Sequence, residues 1–170
     1  MGLRPGRVVR DVRKPYTRVS KAVPRKSYVV GVPSPKLHQF EMGDRKGNYD
    51  ITLYLIAKEA VQIRDNALEA ARIVSVKFLE TKLGTNFFFK ILTYPHQVVR
   101  EHSIAQGAGA DRFSQGMRKN FGHPVGTAVI VKAEQKLMMI KVAKENLELA
   151  KIALKKAGLK ISTPVRIVQE

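Results

Sequence analysis

Apolar residues along this chain change their period several times, and the changes outline the elements. Residues 51–56 (ITLYLI) are β-branched and aromatic almost without interruption, which predicts a strand. From Asp65 the period becomes helical. Leu68, Ala71, Val76, Leu79 and Leu83 share one face, Asp65 is placed as the N-cap with Glu69 near the helix start, and Gly84 stops the run. Residues 87–94 then carry Phe87, Phe88, Phe89, Ile91 and Leu92 nearly side by side, a strand expected to be buried on both faces. Further on, residues 127–131 and 137–142 read as two strands joined by a polar connection of hairpin length, 132–136 (KAEQK). A second helix is predicted from about Glu145, with Leu147, Ala150, Leu154 and Ala157 in phase and Gly158 in the stop position. Residues 164–168 read as a closing strand. Upstream, 37–41 alternates as a short strand should, and 42–48 (MGDRKGN) is a polar turn.

The two halves echo one another: strand, helix opening with a Leu-Glu pair (Leu68 and Glu69, Leu147 and Glu148), glycine, strand. The expected fold is therefore α+β, with two β-α-β units in one mixed sheet layer covered by two main helices. A single globular domain is expected over residues 28–170, preceded by a basic arm over 1–27. Within the domain, 95–126 is expected as one long loop. A connection of roughly 30 residues far exceeds the ~4–6 usual in compact domains, which points to a functional role. This segment holds Gly107, Gly109, Gly116 and Gly122 before Pro124, together with Arg100, Arg112, Arg118 and Lys119.

Charge changes the picture most. The 170 residues include 31 Lys plus Arg against 14 Asp plus Glu, a formal net charge of +17. Such an excess repels itself unless a polyanion neutralises it. Nucleic acid is the expected partner, and an anionic membrane surface is the competitor. The arm concentrates the charge: Arg4, Arg7, Arg10, Arg13, Lys14, Arg18, Lys21, Arg25 and Lys26 stand against Asp11 alone. Pro5, Pro15 and Pro24 oppose a continuous helix, so the arm is read as extended, with a solvated disordered tail as the alternative. Its cations should track phosphates without reading bases, while Tyr16 could stack on one. No apolar run approaches the ~18 residues of a membrane span, and no apolar stretch follows the first arginines as a secretion signal requires. The absence of cysteine excludes disulfides, zinc ribbons and thiol catalysis.

Other chemistry is poorly supported. His96, His102 and His123 with Glu101 and Asp111 lack a recognised metal-ligand spacing. The run from Gly107 through Ala108, Gly109 and Ala110 to Asp111 lacks both the G-K-[ST] ending and the G-x-G-x-x-G spacing of nucleotide loops. Its small residues suit close approach of backbone to RNA, with Arg112, Arg118 and Lys119 meeting phosphates. Ser103 beside His102 does not make a nucleophile and base. No catalytic residue, cofactor or metal is expected.

Residues 94–127 (YPHQVVREHSIAQGAGADRFSQGMRKNFGHPVGT), with KPYTR at 14–18 and GVPSPKLHQFEMG at 31–43, resemble the archaeal and eukaryotic branch of large-subunit ribosomal protein sixteen, also called protein ten-e, on its archaeal side. The motifs that carry the resemblance are GAGADR at 107–112, Gly116 to Arg118, Phe121 with Gly122, Pro124, and Gly126 with Thr127. The resemblance implies an α/β-hammerhead-like fold and a non-enzymatic place in the large subunit of cytoplasmic ribosomes. It also implies contacts with large-subunit rRNA (5S rRNA being a further candidate), tRNA and neighbouring ribosomal proteins, and no homo-oligomer. On this resemblance the loop that starts after Arg100 and contains His102, Gly107, Ala108, Gly109, Ala110, Asp111 and Gly116 points towards the peptidyl-transferase centre and helps form the aminoacyl-tRNA site. The opening 1–14 departs most from relatives, which begin with a shorter arginine-rich segment. The alternative reading is a free RNA- or DNA-binding regulator.

Overall fold

A computed structural model describes residues 4–12, 29–102, 104, 107–114, 116–118 and 120–170. After a 3-10 turn at Gly6–Val8, the elements in chain order are β1 (Glu41–Gly43), β2 (Ile51–Ala57), β3 (Val61–Arg64), α1 (Asp65–Leu83), β4 (Phe88–Ile91), β5 (Gln97–Glu101), α2 (Ala110–Phe113), β6 (His123–Val131), β7 (Lys136–Val142), α3 (Leu147–Gly158) and β8 (Val165–Gln169). The α+β class, the single domain and the two main helices are as expected. The single mixed sheet is not. The strands divide into a five-stranded sheet, β1-β4-β7-β2-β8, and a three-stranded sheet, β3-β6-β5, and every neighbouring pair is antiparallel.

The internal echo takes a specific form. In the larger sheet β2 and β4 run the same way on either side of β7, while β7 and β8 run the same way on either side of β2. Each β-α-β unit is thus split, and each receives one strand of the other. This interleaving turns two parallel units into an antiparallel sheet.

One ladder links the two sheets. β2 pairs with β7 and β3 with β6, so the chain leaves one sheet for the other between β2 and β3 and crosses back between β6 and β7. A bulge at Leu55 and Ile56 shifts the register to Ile56 opposite Lys136. Five positions on from Ile56 and five back from Lys136, Val61 faces Val131 in the same register. The corner is fastened by Ala57, whose N–H donates to the Gln135 carbonyl (3.0 Å) and whose carbonyl accepts from the Glu134 N–H (2.9 Å). The polar connection at 132–136 is therefore a corner between sheets, not the tip of a hairpin between β6 and β7. Glu134 takes the positive φ, +63°, that this turn demands.

The core lies under this ladder. Leu53, Leu55, Leu137, Met138 and Ile140 from β2 and β7 join Ile63, Val129 and Val131 of the smaller sheet and Leu68, Leu79 and Leu154 of the helices. Phe87, Phe88, Phe89 and Ile91 are buried as their apolar run predicts, but Leu92, expected with them, lies beyond the end of β4 and is exposed. Helices α1 and α3 meet through small residues, with Ala71, Ser75, Ala150, Ala153 and Ala157 all fully buried. The Ser75 hydroxyl lies 2.8 Å from the Ala71 carbonyl and 3.3 Å from that of Ala153 across the helix pair.

Several boundaries differ from the sequence reading for local reasons. The first strand falls at β1 rather than 37–41, because Glu41, Met42 and Gly43 pair with Lys90, Phe89 and Phe88. Lys90 donates to Glu41 across that pair (2.6 Å), and its ammonium holds the carboxyl below its ordinary range. Asp65 does not cap α1 as a preceding residue. It is the first helical residue and is buried, and its carboxylate accepts from the Asn66 N–H (2.7 Å), the Lys36 N–H (2.9 Å) and the Thr127 hydroxyl (3.1 Å). Gly158 ends α3, but its role is close approach: a Cβ there would lie 2.6 Å from Val165 Cγ2. No helix among the described residues is long and apolar enough to cross a membrane.

Leu79 and Leu154 are both completely buried. Leu79→Ala and Leu154→Ala are each expected to lower the unfolding free energy by about 2–5 kcal/mol. Urea unfolding of the isolated chain checks this, and midpoints unmoved by either change would contradict the core described above.

Candidate nucleic-acid interface

The segment 95–126 is not one irregular connection. Its ends are the strands β5 and β6, which pair from Gln97 opposite Ala128 to Glu101 opposite His123, with a bulge between Val99 and Arg100. The excursion proper is 102–122, raised on a two-stranded stalk. Arg100, half-buried, sits at the bulge where the stalk changes register, opposite Pro124.

Two contacts make the neck of the loop. The His102 ring places Nε2 3.0 Å from the Gly116 carbonyl, and since a carbonyl only accepts, Nε2 carries the proton in this contact. Gly122, at φ +81°, packs so tightly on the stalk that a Cβ would lie 2.5 Å from the Glu101 carbonyl carbon. Above the neck, the short α2 starts from Gly109 in the left-handed region, at φ +73°. The Ala110 and Arg112 amides donate to the carbonyls of Gly107 (3.2 Å) and Gly109 (3.1 Å), so GAGADR is a turn wound into one helical turn.

What this loop presents is mixed in chemistry. Arg112, Arg118, Asp111, Gly107, Ala108, Gly109 and Gly116 are exposed, while Ala110 and His102 are partly covered. Beside these arginines stand large apolar side chains, of which the sequence reading named Met117 and Phe121 only as family motifs and Phe113 not at all: Phe113 is 84%, Met117 79% and Phe121 66% exposed. Cations interleaved with exposed rings can meet phosphates and stack on unpaired bases together. The signal was present in the sequence, since Phe113 and Phe121 lie inside the segment read as a loop, away from every apolar face the periodicity predicts. Lys119 lies outside the described residues.

The described part of the arm is folded back onto the domain rather than extended. The Gln62 N–H of β3 donates to the Arg10 carbonyl (2.7 Å), so the arm adds a rung to the edge of the smaller sheet. Arg4 Nε bonds Glu101 Oε1 at 2.6 Å, at the root of the loop, and Arg64 Nη1 donates to the Arg4 carbonyl at 2.8 Å. Arg10 is ion-paired with Glu59. Two of the three described arm arginines thus meet carboxylates of the protein itself, while Arg7 stands exposed. Arg13, Lys14, Tyr16, Arg18, Lys21, Arg25 and Lys26 lie outside the described residues.

Among the described residues no three His, Asp or Glu side chains are placed to hold an ion. His96 Nδ1 lies 3.0 Å from the Tyr94 carbonyl, and His102 is engaged at the neck.

Comparison with known proteins gives this interface a context. The family described as ribosomal protein L16p/L10e matches residues 12–168. Large ribosomal subunit protein uL16 of Archaeoglobus fulgidus is 45% identical over 171 residues, covering 100% of this chain and 94% of the relative. The proteins of the same name from Picrophilus torridus and Saccharolobus solfataricus are each 48% identical, covering 90% and 98% of this chain and 88% and 92% of their own lengths. The match runs through the core ladder, the stalk and the loop alike, and the chain belongs to the ribosomal protein L16p/L10e family, on its archaeal side.

Proposed function

We propose that this chain is a structural, non-enzymatic constituent of the large ribosomal subunit, which binds large-subunit rRNA and uses the loop at 102–122 to help shape the aminoacyl-tRNA site near the peptidyl-transferase centre. Family membership over residues 12–168 carries the subunit assignment. The net charge of +17 supports an RNA partner, since neutralising phosphates releases the counterions that make such binding favourable. The finer role of the loop is supported by its construction. A two-stranded stalk and a clasped neck carry exposed arginines and aromatic rings, which suits contact with RNA phosphates and bases. Chemistry at such a site belongs to the RNA, and the protein positions it.

A loop held at its neck can be removed without unpairing β5 from β6, because closing a shorter connection changes the free energy by only fractions of ~1 kcal/mol per halving of length. Replacing 103–121 by a short Gly/Ser linker should therefore leave the fold intact. Reconstituted large subunits carrying that variant should sediment normally yet bind aminoacyl-tRNA weakly and form peptide bonds slowly. Arg100→Ser, which alters the bulge below the neck, should give a milder form of the same defect. Normal tRNA affinity and normal peptide transfer in both would sink the proposed role of the loop.

The arm should bind phosphates rather than select bases. No described residue of the arm belongs to the hydrophobic core, so deletion of 1–27 should leave the domain folded. Every phosphate that the shortened chain no longer neutralises should flatten the slope of log affinity against log salt by about 0.7–0.9. Titration of full-length and shortened protein with rRNA at several salt concentrations measures this, and identical slopes would remove the arm from the interface.

A further inference from the structure

Where the arm folds back, the turn at Gly6–Val8, the start of α1 and the segment after α3 surround an open cleft of about 390 Å³. Four cations converge on it: Arg7 and Arg10 from the arm, Arg64 from the end of β3, and Lys160 from beyond α3. Arg10 is balanced by Glu59, and Arg64 donates to the neutral carbonyl of Arg4. No ion pair of Arg7 or Lys160 occurs among the described residues. The walls are tied together by neutral groups, with Gln62 donating to the Arg10 carbonyl and the Ser162 hydroxyl donating to the Gln62 carbonyl at 3.4 Å. Cations gathered from three separate segments, with a single carboxylate among their described partners, repel one another unless an anion enters.

The chemistry of the lining selects the anion. Guanidinium groups bind phosphate oxygens through paired N–H donors and an ammonium adds a point charge, which together suit a tetrahedral oxyanion. The described lining has no aromatic ring on which a nucleoside base could stack, so the cleft recognises a phosphate and not the base beside it. Its open side lets a group arrive on a continuous strand.

We propose that this cleft seats one phosphate group of an RNA strand between Arg7 of the arm and Arg64 and Lys160 of the domain, pinning the arm to the edge of β3. This rests on the reading of the chain as an rRNA-binding protein and names one place where the contact is made. An anion that bridges two segments binds only when both are in place, so it raises the population of the docked arm by mass action. The rung between Gln62 and Arg10 is the reporter of that docking.

The test uses the full chain, a large-subunit rRNA transcript and, separately, inorganic phosphate. It reads amide hydrogen exchange at Gln62, with the Leu53 amide of β2 as a control for folding. The variants are Arg7→Gln, Lys160→Gln and the charge-keeping Lys160→Arg. The rRNA should slow Gln62 exchange in the wild type and in Lys160→Arg but not in the two glutamine variants. Those two should also show salt slopes flatter by about 0.7–0.9. Slowing by inorganic phosphate as well supports the same oxyanion chemistry. Slowing by inorganic phosphate but not by rRNA would overturn the assignment to RNA. Glutamine variants that bind rRNA with the wild-type slope and wild-type Gln62 protection would overturn the cleft while leaving rRNA binding intact, whereas a wild-type chain with no affinity for rRNA would defeat the broader reading.

Discussion

The antiparallel ladder that turns the corner between the two sheets is the constraint on which the rest depends. Its register after the bulge at Leu55 and Ile56 is retained from Ile56 opposite Lys136 to Val61 opposite Val131. A slip by one residue would exchange every inward side chain for an outward one, in both sheets at once. Leu53, Leu55, Ile63, Val129, Val131, Leu137 and Ile140 would then leave the core together. The hydrogen bonds of Ala57 with Glu134 and Gln135 fix the corner in the one arrangement that keeps all of them inside.

From that corner the position of the long loop follows mechanically. β6 belongs to the ladder at its C-terminal end and to the stalk at its N-terminal end, so the position of the loop is set by the core through a single strand. Asp65 reinforces the link. Its buried carboxylate joins the first residue of α1 to Thr127 of β6 and to the backbone at Lys36, satisfying its charge with three donors. The stalk is thereby braced against a long helix, and the flexible composition of the loop begins only beyond the clasp of His102 with Gly116.

Arm and loop also meet. Arg4 reaches Glu101 at the loop end of the stalk, so a segment read as an extended basic arm is in part an internal strut. Its exposed pair costs little to break in water, where such contacts contribute on the order of 0–1 kcal/mol.

Periodicity and composition by themselves determined the α+β class, the two helices with their buried leucines and alanines, the buried phenylalanine strand and the large excess of positive charge. These depend on local spacing and on net charge, which no tertiary contact can alter. The ordered motifs from 94 to 127 determined the family. Only the tertiary structure decided that the strands form two antiparallel sheets, because pairing partners are chosen by long-range packing and both split units look parallel when read along the chain. It also found β3 and β5, strands too short and too polar to stand out beside a helix start and a glycine-rich run. Asp65 as a buried tie, Gly158 as a point of close approach and the cationic cleft under the arm share one reason for their invisibility. Each is made by residues far apart in sequence that come together only when the bent ladder closes the core.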